Sequence, residues 1–244
     1  MTHSSESPNQ LTSQRLDHVI AVTGCDGCGK STLTADLYAY LRDKGDIELL
    51  YLGQSSGNIG RWIKGLPLIG SLLGSFLDNK AKKSHSDKQS GHDLATIIAI
   101  YLLSCWRAHK FRRLLAMNRR GAIVITDRYP QAEVPGFYFD GPGLGSKKID
   151  SWLGRILTAR EQKLYGWMAS HVPALVIRIN IDADTAFARK PDHRLSMLRD
   201  KITVIPKLHF NHARILDLNG TDPYEQVLDS ALKAINATFN LPTE

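Results

Sequence analysis

A short β-branched run that ends on a glycine-rich turn and opens a helix constrains this chain more than any other feature. From His18, the residues Val19-Ile20-Ala21-Val22 read as a strand buried on both faces. The run meets Gly24-Cys25-Asp26-Gly27-Cys28-Gly29-Lys30-Ser31-Thr32, which satisfies G-x-x-x-x-G-K-[ST], and helical periodicity follows from Ser31 to Arg42. Gly24, Gly27 and Gly29 let the loop curl until consecutive backbone N–H groups point inward at phosphate oxygens, and the helix adds its positive N-terminal end. In that geometry Lys30 reaches the β- and γ-phosphates and the Ser31 hydroxyl holds Mg²⁺.

Four more short apolar runs follow, at Ile47 to Leu52, Ala122 to Thr126, Ala174 to Ile181 and Ile215 to Leu218. Helical patterns fill the gaps at Ser31 to Arg42, Asp93 to Met117, Ile149 to Ser170 and Pro223 to Thr238, the last with Asp222 as its cap. Strict alternation of this kind predicts an α/β fold of three layers: a five-stranded parallel sheet with helices on both faces, the P-loop NTPase arrangement. At 244 residues, one domain can bury a substantial core. Structure is expected from Asp17, after a polar arm over residues 1–16, with the phosphate-loop domain spanning 17–244 and interrupted by a lobe at about 55–90.

Three cysteines exclude a disulfide-built scaffold. No stretch approaches the roughly 20 apolar residues of a membrane span. Met1 to Gln14 lacks the cationic start and apolar run of a signal peptide, so a cytoplasmic location is expected. Within the lobe, Leu66 to Leu77 followed by Lys80, Lys82 and Lys83 reads either as an apolar face packed on the core or as a peripheral membrane contact over 66–83. The formal charge is +7, and it resides between Asp78 and Arg128. That basic middle reads as a phosphate-handling surface, a nucleic-acid patch or a solvated helix face. Its basic residues are not interleaved with aromatics as in a recognition module, so no nucleic-acid partner is expected. Cys25 and Cys28 also spell C-x-x-C, but no second pair completes a four-ligand metal site. As a redox device, a bridge between them would distort the phosphate loop.

The third strand leads into Asp127-Arg128-Tyr129. A carboxylate at a strand tip beside the phosphate loop can orient Mg²⁺ through water or accept a proton from an incoming nucleophile, and the adjacent arginine can neutralise a transferring phosphate. Arg107 to Arg119 descends twelve helical steps, about 18 Å, and Ala122 to Asp127 climbs five strand steps, about 17 Å, which returns Arg107 to the level of Asp127. Arg112, Arg113, Arg119 and Arg120 then fall at the far end of the sheet. After the fourth strand, Asp182-Ala183-Asp184-Thr185 starts a short helix that Pro191 breaks, giving a basic flap with Arg189 and Arg194 that can close over the γ-phosphate. Tyr129 to Lys147 is a glycine-rich loop long enough for a binding role.

Together these features resemble the thymidylate kinase branch of P-loop nucleotide kinases over about residues 17 to 238. Asp26 matches the acidic third position of that family's phosphate loop, which faces the acceptor's sugar. Asp127 to Tyr129 matches its Asp-Arg-Tyr triplet, Arg107-Ala108 its substrate-helix pair, Arg189 to Arg194 its lid, and Asn219-Gly220 its loop near adenine. The chain departs on the acceptor side. Leu52-Gly53-Gln54-Ser55-Ser56 replaces an Arg-Glu-Pro-Gly-Gly segment, and Pro130-Gln131-Ala132-Glu133 replaces the thymine-pocket residues. Thr23 and Trp106 stand where acidic residues are usual.

The resemblance implies an ATP- and Mg²⁺-dependent phosphotransferase acting on a small-molecule acceptor, dTMP by family default, and a homodimer. The alternatives are a kinase for another phosphorylated or sugar-like acceptor, or a regulatory ATP-binding protein. The expected roles are catalysis by Lys30, Asp127, Arg128, Arg189 and Arg194, with Asp127 orienting the metal or taking a proton and the cations stabilising charge; nucleotide binding by Gly24, Gly27, Gly29, Lys30, Ser31, Thr32, Asn219 and Gly220; acceptor binding by Asp26, Arg107, Arg128 and Tyr129; and metal binding by Ser31 and Asp127.

Overall fold

A computed structural model describes residues 13–53, 94–146, 149 and 151–240. The expected lobe, its 66–83 segment and most of the N-terminal arm lie outside the described residues. The elements run β1 (Gln14–Gly24), α1 (Lys30–Leu41), β2 (Ile47–Tyr51), α2 (Leu94–Arg119), β3 (Ile123–Asp127) and α3 (Trp152–Ala169). They continue with β4 (His171–Asn180), α4 (Ala183–Arg189), α5 (Leu195–Val204), β5 (Ile215–Asn219) and α6 (Tyr224–Phe239).

The five strands form one parallel sheet in the order β2-β3-β1-β4-β5. Its register pairs Tyr51 and Val22 with Asp127, Gly24 with Ile179, and Asn180 with Asn219. All five C-terminal tips therefore meet at one edge, where a ligand crevice is expected in an open parallel sheet. Side-chain alternation along β1 supplies both cores. Ile20 and Val22 face α1 and α6, which contribute Leu33, Leu37, Leu41, Val227, Ala231 and Ile235. Val19 and Ala21 face the other layer, where Phe111 and Leu114 of α2 meet Tyr165 and Met168 of α3.

Several details differ from the sequence expectation. β1 begins at Gln14 rather than Asp17, because Gln14, Arg15 and Leu16 pair with His171, Val172 and Pro173. A register shift between Leu16 and Ile20 turns Leu16, 1% exposed, into the α2–α3 core. Asp222 does not cap α6; its carboxylate accepts from Asn219 Nδ2 at 2.8 Å, and Pro223 precedes the first turn. The basic flap is two helices. α4 is capped by Asp182, which accepts from Thr185 N at 2.8 Å, and α5 docks through fully buried Leu198.

Arg112, Arg113, Arg119 and Arg120 are exposed, and Arg120 pairs with Asp46 and Glu48 near the start of β2. Among the described residues no helix is long and apolar enough to cross a membrane.

Candidate functional site

The loop joining β1 to α1 is built around residues that a side chain would obstruct. A Cβ at Gly24 would lie 2.5 Å from the Ile179 carbonyl oxygen and 2.6 Å from Cys28 Sγ. Gly29, at φ +97°, caps α1 in the left-handed region that glycine enters at little cost. Lys30 is buried and its ammonium donates to the Cys25 carbonyl at 2.6 Å, folding back along the loop. Ser31 Oγ donates to Asp127 Oδ2 at 2.9 Å. The other oxygen, Asp127 Oδ1, is buried with no hydrogen-bond partner among the described residues. Parallel pairing of Val22 with Asp127 sets this carboxylate beside the loop that β1 enters.

From the loop a chain of ion pairs runs toward α2. Arg128, held at φ +72°, donates to Asp26 at 2.8 Å through one nitrogen and lies 3.4 Å from Asp140 Oδ2 through another. Asp140 Oδ1 accepts from Arg107 at 3.0 Å, and the Asp140 carbonyl from the same guanidinium at 3.2 Å. Arg107 is fully buried, and its Nε has no partner among the described residues. Arg107, which step counting returns to the level of Asp127, and Arg128 thus share one carboxylate, that of Asp140. Burial opposes the charge on Asp26, but Lys201, Arg128 and Lys30 outweigh it and hold the carboxyl well below the usual range. Both Asp26 oxygens are engaged, Oδ1 by Arg128 and Oδ2 by Lys201, with His193 Nε2 at 3.9 Å from the latter.

Tyr129 stands apart from Asp26, Arg107 and Arg128. It is 2% exposed, its hydroxyl donates to the His171 carbonyl at 2.8 Å, and its ring meets Phe111 edge-on in the α2–α3 core. The left-handed turn at Arg128 sends one side chain to the crevice and the next beneath the sheet edge.

On the opposite flank, Thr32, Arg189, Gly220 and Tyr224 line a cavity of about 280 Å³ together with Cys28 and Gly29. Arg189 donates to the Gly220 carbonyl at 3.1 Å and to the Gly27 carbonyl at 3.4 Å. Asn219 instead curls into its own turn, accepting from Thr221 N and Oγ1. Arg194 is exposed at the start of α5, and its side chain makes no hydrogen bond or ion pair among the described residues.

Several residues escaped the sequence reading. Asp140 sits at φ +62° in the glycine-rich loop and carried no motif. Gln131, 1% exposed, ties that loop by donating to the Val134 and Phe139 carbonyls. Glu161, fully buried, accepts from Ser104 Oγ, Gly143 N and Leu144 N. Lys110 lies one helical turn after Arg107, a spacing that could have flagged it; its ammonium donates to the Tyr51 and Gly53 carbonyls at 3.0 and 2.6 Å. Burial, then the charge of Arg107, lowers the Lys110 pKa to about 8. Cys25 and Cys28 are free and buried, and among the described residues no group of three His, Cys, Asp or Glu could hold a metal. Burial first, then the Asp26 charge, raises the Cys25 thiol to about 11, which disfavours the nucleophilic thiolate.

A parallel sheet with this loop closing its central strand, and a Ser–Asp pair beneath, defines a P-loop NTPase fold. The chain is 51% identical over 222 residues to the uncharacterized ATP-binding protein YghS of Escherichia coli (strain K12), covering 91% of this chain and 94% of that protein. It is 40% identical over 235 residues to the uncharacterized ATP-binding protein YghR of the same strain, with 95% and 93% covered. This chain belongs to the family that YghS and YghR represent. A thymidylate kinase of Nitrosomonas eutropha is 25% identical over 196 residues, 80% of this chain and 75% of that enzyme. No protein-family model matches the chain.

Proposed function

We propose that the chain binds ATP and transfers its γ-phosphate to a small-molecule acceptor, with a nucleoside monophosphate, dTMP foremost, as the acceptor class. The ATP part draws on the names of the two relatives at 40% identity and above and on the loop geometry. The transfer part rests on one observation. Arg128 touches Asp26 of the phosphate loop and Asp140, the carboxylate that also holds buried Arg107, so the cations continue past the triphosphate site toward α2. A site that only bound ATP has no use for that extension.

In this reading Lys30 and the loop amides hold the β- and γ-phosphates. Arg189 and Gly220 border the nucleobase, Arg107 and Arg128 orient the acceptor, and Arg128 meets charge spreading over the transferred group. Mg²⁺ fits the chain at Ser31 Oγ and Asp127, whose buried Oδ1 lacks a partner among the described residues. Bound there, it would neutralise charge on the phosphate oxygens.

A second reading, an ATP-binding protein without a diffusible acceptor, is favoured by the relatives' names, which record ATP binding alone. Coupled ADP-release assays over a panel of nucleoside monophosphates separate the two. Acceptor-dependent turnover that collapses in Lys30→Ala supports transfer; acceptor-independent background hydrolysis across the panel supports the second reading. Near-normal turnover in Lys30→Ala overturns both.

A further inference from the structure

We infer that Lys201, not Arg194, is the lid cation that grips the terminal phosphate of a nucleoside triphosphate held in the loop. This rests on the reading that the loop binds a triphosphate. Lys201 is 4% exposed and pairs with Asp26 Oδ2. On the same carboxylate, Oδ1 receives Arg128 at 2.8 Å. The Lys30 ammonium lies 2.6 Å from the carbonyl of Cys25, the residue before Asp26. Cations from the turn after β3 and from α5 thus meet on one loop carboxylate, with the α1 ammonium on the carbonyl just before it. Arg128 also has Asp140, which it shares with Arg107, whereas Asp26 is the ion-pair partner the structure gives Lys201. Buried cations in excess of their anions are costly, and phosphate oxygens are the strongest complement available to them.

The helix carrying Lys201 is fixed rather than loose. Leu198, fully buried, lies one turn earlier on the same face and anchors α5 to the core, and its carbonyl is 3.9 Å from Cys25 Sγ of the phosphate loop. Lys201 reaches the third component of the site as well: its ammonium is 5.8 Å from the centre of the Tyr138 ring in the Tyr129 to Lys147 loop. It therefore stands where the phosphate loop, the lid and the loop after β3 meet. A lysine ammonium on a four-carbon stem can exchange a carboxylate for phosphate oxygens by small stem rotations, leaving Arg128 on Asp26. Arg194 has no such placement, and Arg189 is committed to the Gly220 and Gly27 carbonyls at the nucleobase end.

Calorimetric titration with ATP and with ADP, both with magnesium, tests the assignment in the full chain. Lys201→Met should weaken ATP by about tenfold or more and ADP by less than about threefold, because ADP lacks the group Lys201 contacts. Lys201→Arg should recover most of the ATP-over-ADP preference, and Arg194→Ala should leave it unchanged. Equal losses for both nucleotides, or none, would reduce Lys201 to a structural ion pair and overturn the inference; so would a preference that Arg194→Ala alone abolishes. Lys201→Gln, which keeps a hydrogen bond to Asp26, is read the same way should the methionine variant fail to fold. If the wild-type chain binds neither nucleotide, the phosphate-loop reading fails first, an outcome distinct from intact binding with an unaltered preference.

Discussion

Asp26→Asn removes the charge that joins the phosphate loop to the lid and to Arg128, and its consequence can be sized from the geometry. Asp26 Oδ1 is 2.8 Å from Arg128 and Oδ2 is bonded to Lys201, with side-chain exposures of 14%, 18% and 5% for Asp26, Arg128 and Lys201. Stripping one partner from a buried pair costs about 3–5 kcal/mol. Here Asp140 still contacts Arg128 at 3.4 Å and Asp26 keeps some access to water. The expected loss at pH 7 is therefore about 2–4 kcal/mol, read by urea unfolding.

The pH dependence has a definite sign. Because the folded carboxyl is held below its unfolded value, the stabilisation is complete above about pH 4 and fades as the pH falls further and Asp26 takes up its proton. Wild type and Asp26→Asn should differ most near neutrality, and the gap should narrow progressively as the pH falls below about 4. A variant within about 0.5 kcal/mol of wild type at pH 7, or a gap that persists on acidification, would refute the reasoning.

Two further outcomes follow from burial. Glu161→Ala leaves Ser104 Oγ, Gly143 N and Leu144 N without the acceptor they now reach at 2.6, 3.2 and 2.8 Å. A loss of about 3–5 kcal/mol in thermal unfolding is expected, part of it regained in Glu161→Gln. Cys25, whose thiol is raised from 9.0 to about 11, has a thiolate fraction at pH 7.5 lower by about a hundredfold than an unperturbed thiol. Mass spectrometry should find Cys25 unlabelled by iodoacetamide in the folded chain over a time that labels it fully in urea.

What could be read from the sequence was what local pattern or simple geometry determines. The strands, the phosphate loop and most helices follow from apolar periodicity and glycine placement, and Asp127 beside Ser31 follows from parallel register. Arg107 was placed by counting steps along a helix and a strand. Lys201 was not legible, because its position depends on how α5 docks through Leu198, a contact with residues far away in the chain. Asp140 was hidden by its left-handed backbone in a loop without motif. The burial of Tyr129 was hidden because a triplet reads as one unit in sequence, whereas the turn at Arg128 separates its side chains between the crevice and the core.

The central question for this chain is whether the loop from Gly24 to Thr32 holds a nucleoside triphosphate through Lys30. Calorimetry with ATP and magnesium should show uptake at one site per chain in the wild type, and a loss of at least about a hundredfold in affinity for a Lys30→Ala protein with an unchanged circular dichroism spectrum. No uptake by the wild type, or equal uptake by Lys30→Ala, would contradict such binding.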